Sequence, residues 1–420
     1  MLWQLPAVSF LLAALLGISG TIYVADGSYY RQLAVGERSH VPNPFAVRVL
    51  GPAIAGWLGR ITGQGPEIGF LILGLVSLAA LLVCLRALLR GQADAKISAA
   101  IFLMPFWIGI FHDYYLPDLL HAALLATILL CLARGKNLLA MALIFPAFLT
   151  RESTLLVAAC LAIAAWRRLP RRAIAMGIAA TAAGFMASQH FAGLGAANTR
   201  GLRGGAYMIG KIIWNLPRNL LGVPLWANSE PLCRPFWTTP VPHWWHVGPM
   251  QTVGICGPSL WGPARVLLAW AGIFGIGPAI MAVYRRSLFG RSALSTETGG
   301  LQGGAGVVFR FSVIYGSISL VLAPFLGAST DRLVEYAWPL FFVALPVAIT
   351  AQPELLRGCG RLLLPAHLLT CWMTWNVFRQ ELPNSRVLAI GLFALALNTA
   401  AFYLLKTAPW PPRRAGAAVQ

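Results

Sequence analysis

Long apolar stretches dominate this sequence and constrain its fold more than any other feature. Hydrophobic residues make up 58% of the 420 positions and charged residues only 11%, whereas a soluble domain usually carries about a quarter charged residues. A chain so poor in charge cannot cover its surface with polar groups, so lipid must form part of its surroundings. Twelve stretches can form helices that span a membrane: 5–24, 67–86, 97–111, 117–133, 137–150, 153–166, 173–192, 264–283, 308–327, 337–351, 362–377 and 387–405.

These stretches predict an all-α fold, a polytopic bundle of about twelve transmembrane helices that forms one integral membrane domain over residues 1–420. The first stretch lacks preceding basic residues and a clear cleavage site, so we expect a retained helix and not a removed signal peptide. Two outer segments stand apart, a first outer loop at 25–66 and a long outer loop at 193–263. In the long outer loop, the basic, tryptophan-containing segment Tyr207–Leu221 predicts an interfacial helix. In the first outer loop, the apolar stretch Phe45–Leu58 predicts another.

The net charge of +19 is distributed unevenly along the chain. When the segments are numbered from a cytoplasmic N-terminus, the inner ones hold 18 basic and three acidic residues, and the outer ones hold the other 14 basic and 10 acidic residues. Cytoplasmic loops rich in Lys and Arg are the usual topology signal. The basicity therefore predicts orientation in an inner (plasma) membrane, with both termini cytoplasmic, and argues against a nucleic-acid partner.

The seven cysteines show no metal-ligand spacing. Cys233 and Cys256 share the long outer loop, on the side where thiols can oxidise. A disulfide between them is one reading, and two unrelated loop cysteines are the other.

Three of the apolar stretches are short and end in polar residues on the outer side. The stretches 97–111, 137–150 and 153–166 reach only about 21–23 Å as helices, against a hydrocarbon core of about 30 Å. Their polar ends must therefore lie below the outer headgroups, where ionisable groups are costly unless they pair or line a wet cavity. The pattern predicts a polar cavity that opens to the outer face.

Acidic residues gather on that same side, in four separate segments. Such a distribution suits an enzyme with a polar substrate outside and a lipid substrate in the membrane, since carboxylates can accept a proton from a hydroxyl and arginines can bind phosphate. The candidate residues are Asp26; His112, Asp113 and Asp118; Arg151 and Glu152; and Asp331, Arg332 and Glu335.

The sequences around these residues resemble a known family. The first outer loop reads DGSYYRQLA and then NPFAVRVLGPAIA, and later segments read FHDYYLPD and LTRES. Together they resemble the GT-C superfamily of polyprenyl-phosphate-sugar-dependent glycosyltransferases, which includes protein mannosyltransferases and aminoarabinose transferases. The resemblance covers mainly residues 1–155, and beyond them it extends to the topology and to Asp331–Arg332.

This resemblance implies an inverting sugar transfer at the outer (periplasmic) face. The donor would be a polyprenyl-phosphate sugar among the membrane lipids, and the acceptor a lipid, a glycan or a protein. Asp26 and Asp113 would be catalytic, with Asp26 as general base. His112, Asp118, Arg151, Glu152, Asp331 and Arg332 would bind substrate. Asp26 lacks the adjacent acidic residue of several branches, which leaves open whether a divalent cation such as Mg²⁺ or Mn²⁺ takes part.

Other readings of the same residues remain open. Asp26 could cap a helix that begins near Ser28, Asp118 could favour a helix dipole, and Arg151 could neutralise Glu152 beside it. Twelve spans with both ends inside also fit a secondary transporter, although no internal repeat of the kind found in transporters is visible. A polysaccharide polymerase or ligase with a long outer loop is the third alternative.

Overall fold

The computed structural model describes most of the chain. It covers residues 4–17, 25–39, 41, 44–165, 168–193, 212, 215–227, 235–240, 252–289, 304–327, 330–350, 353–379 and 382–407.

Helices make up almost all of the described chain. In the first half they are α1 Leu5–Gly17, α2 Ala25–Val35, α3 Leu50–Thr62, α4 Pro66–Leu89, α5 Ala95–Phe102, α6 Phe106–His112, α7 Pro117–Ala133, α8 Asn137–Ala142, α9 Ile144–Thr150, α10 Thr154–Ala165 and α11 Arg171–Gly193. In the second half they are α12 Trp261–Gly272, α13 Gly277–Phe289, α14 Gly304–Leu326, α15 Thr330–Glu335, α16 Leu345–Thr350, α17 Pro353–Arg379 and α18 Asn384–Thr407. Short 3₁₀ or π turns cover Phe45–Val47, Pro217–Leu221 and Leu340–Ala344.

The helices form a polytopic membrane bundle, as the sequence predicts. Among the described residues four helical segments are long and apolar enough to cross a membrane, or five if the bent pair α12–α13 counts as one span. Large aliphatic side chains such as Leu15, Val76 and Leu362 are more than half exposed, which suits a surface that faces lipid. Each of the twelve predicted stretches contains one helix or a broken pair, and twelve crossings stay a prediction.

The first outer loop is mostly helical and packs against the bundle. Helix α2 contains Asp26 in its first turn, and α3 covers much of the predicted interfacial helix Phe45–Leu58. Helix α3 lies against α4 so closely that a side chain at Gly69 would collide with the carbonyl of Ala55. This contact fixes the loop over the outer end of the bundle.

Apart from the stretch 137–150, which forms α8 and α9, two of the predicted spans are broken, and a polar side chain compensates one of these breaks. Helices α12 and α13 meet at an angle of 62°. Asn398 of α18 donates to the carbonyls of Ala271 (2.7 Å) and Gly275 (3.1 Å), and its side-chain oxygen accepts from the amide of Ala279 (3.1 Å). A buried backbone group without a partner is costly in a membrane, so this asparagine stabilises the bent span. Helices α5 and α6 meet at the other break, which ends at Pro105.

The long outer loop contains a small sheet that the sequence analysis did not predict. Three antiparallel strands, β1 Leu225–Ala227, β2 Pro235–Pro240 and β3 Thr252–Cys256, pair in the order β1-β3-β2. Of the interfacial helix predicted at Tyr207–Leu221, residues 207–211 and 213–214 lie outside the described residues.

We expect Cys256 to be bonded to Cys233. Cys256 is disulfide-bonded, whereas Cys233 lies outside the described residues, so the pairing itself stays a prediction. The two cysteines are separated by 22 residues (256 − 233 − 1). A disulfide that closes a loop of that length should stabilise the fold by on the order of 3 kcal/mol. Mass spectrometry of non-reduced peptides should recover a Cys233–Cys256 cross-link, and a cross-link from Cys256 to another cysteine would contradict it.

Candidate active site

Two segments that are distant in sequence bring three carboxylates to one arginine of a third segment. Arg332 of α15 lies with its Nη2 atom 2.7 Å from Asp118 Oδ2 at the start of α7. Its Nη1 atom is 3.8 Å from Asp26 Oδ2, and its Nε atom is 3.9 Å from Asp113 Oδ2. The first contact is a charge-assisted hydrogen bond, and the other two are ion pairs without a direct hydrogen bond.

The three carboxylates differ in how firmly they are held. Asp118 is nearly buried and contacts Arg151 and the hydroxyl of Tyr336 as well as Arg332. Asp113 lies 3.2 Å from His112 Nδ1. The Asp26 side chain is 38% exposed, the highest value of the three, and its recorded ionic contact is the long one to Arg332. Asp118 is therefore held firmly by the protein, whereas the Asp26 side chain is accessible to a ligand.

Two arginines of the cluster keep unused hydrogen-bond donors. The Nε atoms of Arg151 and Arg332 are buried and have no hydrogen-bond partner among the described residues. The Arg151 guanidinium also stacks over the Tyr336 ring, 4.6 Å from its centroid. Buried donors without partners are unfavourable, so these two side chains have hydrogen-bonding capacity that the described residues leave unused.

A second ion pair supports the cluster. Arg48, which follows the 3₁₀ turn Phe45–Val47, binds Glu152 through Nε (2.8 Å) and Nη2 (2.5 Å), and its Nη1 atom donates to the hydroxyl of Tyr30 (2.8 Å). This bidentate pair joins the first outer loop to the turn between α9 and α10. Both Glu152 oxygens are thereby occupied, which favours a structural role for Glu152 over the predicted substrate-binding role. The suggested Arg151–Glu152 pairing is replaced by Arg151–Asp118 and Arg48–Glu152.

The Arg48–Glu152 pair should make stability depend on acid pH. Burial of Glu152 opposes ionisation, but the charge and hydrogen bonds of Arg48 outweigh it and lower the pKa of this carboxyl to about 2. In the unfolded chain the pKa of a glutamate is about 4.3. The ion pair therefore contributes fully to the stability of the folded protein above that pH, and its contribution is lost as the pH falls towards 2. We expect Glu152→Gln to lower the unfolding temperature at pH 7. In this variant the unfolding temperature should also decrease less steeply as the pH is lowered. Thermal unfolding in detergent tests this, with the exposed Glu37→Gln as control; an unchanged acid slope in Glu152→Gln would contradict it.

A cavity of about 190 Å³ opens beside Arg332. Its lining contains both acidic and aromatic side chains. Polar residues at the wall are His112, Asp113, Asp331, Arg332, Glu335 and Thr374, and the apolar part comprises Pro105, Phe106, Gly109, Ile273, Cys371, Trp375 and Phe378. The cavity lies at the His112–Asp113 end of the predicted stretch 97–111, and its opening to the outer face stays a prediction.

The residues of the cluster do not fit a divalent cation. Mg²⁺ and Mn²⁺ need several oxygen ligands that converge on one point. Here the guanidinium of Arg332 lies between Asp26, Asp113 and Asp118. Within the described part of the chain, no three His, Cys, Asp or Glu side chains are grouped as metal ligands. The positive charge that the three carboxylates face is supplied by the protein.

The structure brings most of the predicted site residues together. Asp26, Asp113, Asp118, Arg151 and Arg332 form the cluster, and His112 and Asp331 lie at the adjoining cavity. The sequence analysis assigned no role to Arg48, Tyr336 or Trp375. Arg48 stands in the quoted NPFAVRVLGP segment, where a single arginine among apolar residues was an available signal. No comparable signal marks Tyr336.

Comparisons with known proteins give one structural similarity. No family model matches the chain, and no curated protein matches it. Among solved structures, the chain is similar to the crystal structure of ArnT from Cupriavidus metallidurans in the apo state. The two share 14% sequence identity with a TM-score of 0.48, over 96% of this chain and 71% of that one.

Proposed function

We propose that this protein is a membrane glycosyltransferase that moves a sugar from a polyprenyl-phosphate donor to an acceptor at the outer face of the membrane. The observation that supports it is the cluster itself, in which three carboxylates surround Arg332 while the Nε atoms of Arg151 and Arg332 have no hydrogen-bond partner among the described residues. A phosphate with acceptor oxygens suits those donors, and an exposed carboxylate beside them suits the hydroxyl that attacks.

In this proposal the sugar is transferred with inversion. The acceptor oxygen attacks the anomeric carbon as the bond from that carbon to the phosphate oxygen breaks. The acceptor proton passes to Asp26, and the polyprenyl phosphate departs with its new charge facing Arg332 and Arg151. Asp113 holds Arg332 and His112 in place at the edge of the cavity. Asp118 orients both arginines, because it contacts each of them.

The transfer can be tested directly. Purified protein in lipid vesicles is given synthetic polyprenyl-phosphate sugars that carry a radiolabel in the sugar, together with membrane fractions as the acceptor source. We expect the label to move to an acceptor and free polyprenyl phosphate to appear in equal amount. If none of the synthetic polyprenyl-phosphate sugars is consumed, the proposal fails, and transport of a small solute becomes the function to test.

The same proposal places the site outside the cytoplasm, with the 193–263 loop outside and Arg167–Arg172 inside. The uneven distribution of basic residues supports this orientation. Labelling of single cysteines introduced near residue 200 with an impermeant thiol reagent checks it in intact cells.

A further inference from the structure

We infer that the cavity beside Arg332 is the pocket for the sugar ring of the donor, and that it admits a single monosaccharide and rejects sugars that carry a carboxylate. This inference rests on the proposed function and adds the size and charge of the substrate. The cavity shares Arg332 and Asp113 with the ion-pair cluster, so a sugar whose phosphate meets Arg332 extends directly into it.

The size of the cavity sets the first limit. Pockets for drug-sized ligands enclose roughly 300–1,000 Å³, whereas this cavity has about 190 Å³. One pyranose ring suits that space, and two linked rings exceed it. Gly109 lines the pocket, and a Cβ atom there would make ordinary contacts, 3.5 Å from Glu335 Oε1 and 3.7 Å from Trp375 Cδ1, while it takes up space between them. Glycine is thus the residue that leaves this part of the wall bare.

The acidic and aromatic side chains of the lining suit the two kinds of surface on a sugar. The Trp375 indole lines the cavity and is braced edge to face by Trp372, with centroids 5.6 Å apart at 81°, and an aromatic side chain suits the C–H groups of a sugar ring. Across Gly109, Glu335 offers carboxyl oxygens to hydroxyl groups. A rigid aromatic residue with a few polar groups is the usual composition of a small-molecule site.

The charge of the lining sets the second limit. Asp113, Asp331 and Glu335 line the cavity, against Arg332 and the titratable His112. Burial first, and then repulsion from Asp331 and Asp113, raises the pKa of Glu335 well above its ordinary value. The site thus already disfavours its own negative charges, and a uronic acid would add another. Like charges placed together in an interface cost several kcal/mol, so we expect discrimination on the order of 100-fold.

The test compares donors that differ only in the sugar. Wild-type protein in vesicles receives three farnesyl-phosphate donors, which carry a hexose, the corresponding hexuronic acid or a disaccharide. We expect the hexose to be used on the order of 100-fold better in kcat/KM than the uronate, and the disaccharide to be used poorly. Asp331→Asn should reduce the ratio of kcat/KM for the hexose donor to kcat/KM for the uronate donor. Equal use of all three donors would overturn the inference and leave the proposed function intact, whereas use of none would overturn both.

A glycine variant tests the position of the pocket. Gly109→Ala adds one methyl group to the wall in a helix that tolerates alanine well, so it should lower kcat/KM for the hexose donor about 10-fold or more without loss of folding. Gly391→Ala is the matched control, since Gly391 lies in α18, does not line the cavity, and its Cβ would meet atoms of α12 at 3.4–3.6 Å. An effect on the KM of the acceptor alone, or no effect, would overturn the assignment of this cavity to the donor sugar.

Discussion

Asp26→Asn is expected to reduce sugar transfer by about 10²–10⁴-fold, the usual contribution of general-base catalysis. The amide has nearly the same shape as the carboxyl group but cannot take the proton of the acceptor hydroxyl. The loss should appear chiefly in turnover, because the ionic contact that Asp26 makes with the described residues is a long one, to Arg332 at 3.8 Å. Initial rates with labelled donor, together with the unfolding temperature, measure the two effects separately.

Glu37→Gln is the matched control for this prediction. Glu37 lies in the same outer loop and is exposed, so its amide should leave transfer and folding unchanged. If Asp26→Asn kept near-normal turnover, Asp26 would only stabilise the first turn of α2, where an acidic residue favours the helix dipole. Asp113 would then be the next candidate for the base.

The helices of this fold could be predicted from the sequence because their signal is local. A long apolar run in a membrane protein leaves the backbone few alternatives to a helix. The breaks could not be predicted in the same way. The bend between α12 and α13 depends on Asn398, which stands more than 100 residues further along the chain. The small sheet of the long outer loop lies among prolines and tryptophans without a clear alternating pattern, so periodicity gave no signal for it.

The members of the site could be predicted, and their pairing could not. Ionisable residues in an apolar chain are few and must face a polar recess, which identifies Asp26, Asp113 and Arg332. The choice of partner depends on how the segments approach in space. Arg151 stands next to Glu152 in sequence, yet its ionic contact is Asp118, and Glu152 is bound by Arg48 from the first outer loop. Neighbours on a chain in a turn can point apart, so adjacency predicted the wrong pair.

Arg332→Met should have the second large effect, on stability as well as on transfer. The methionine keeps much of the side-chain length but removes the cation that faces Asp26, Asp113 and Asp118. Removal of one partner from a largely buried ion pair typically costs about 3–5 kcal/mol, and Arg332 is 21% exposed, so we expect the lower end, about 3 kcal/mol. Transfer should fall below detection, because the departing phosphate loses its nearest cation. Denaturation in detergent and the labelled-donor assay measure the two losses.

Two further variants separate the roles of Arg332. Arg332→Met combined with Asp113→Asn removes both charges of one ion pair and leaves the contact between Asp118 and Arg151 intact, so it should recover part of the stability but none of the transfer, as a double-mutant cycle would record. Arg332→Lys keeps the charge without the planar fork and should raise the KM for donor more than that for acceptor. Arg60→Met, an exposed arginine at the end of α3, should change neither property. If Arg332→Met transferred sugar normally, the phosphate would be bound elsewhere, and Arg151, with its own unpartnered Nε atom, would be the first residue to test.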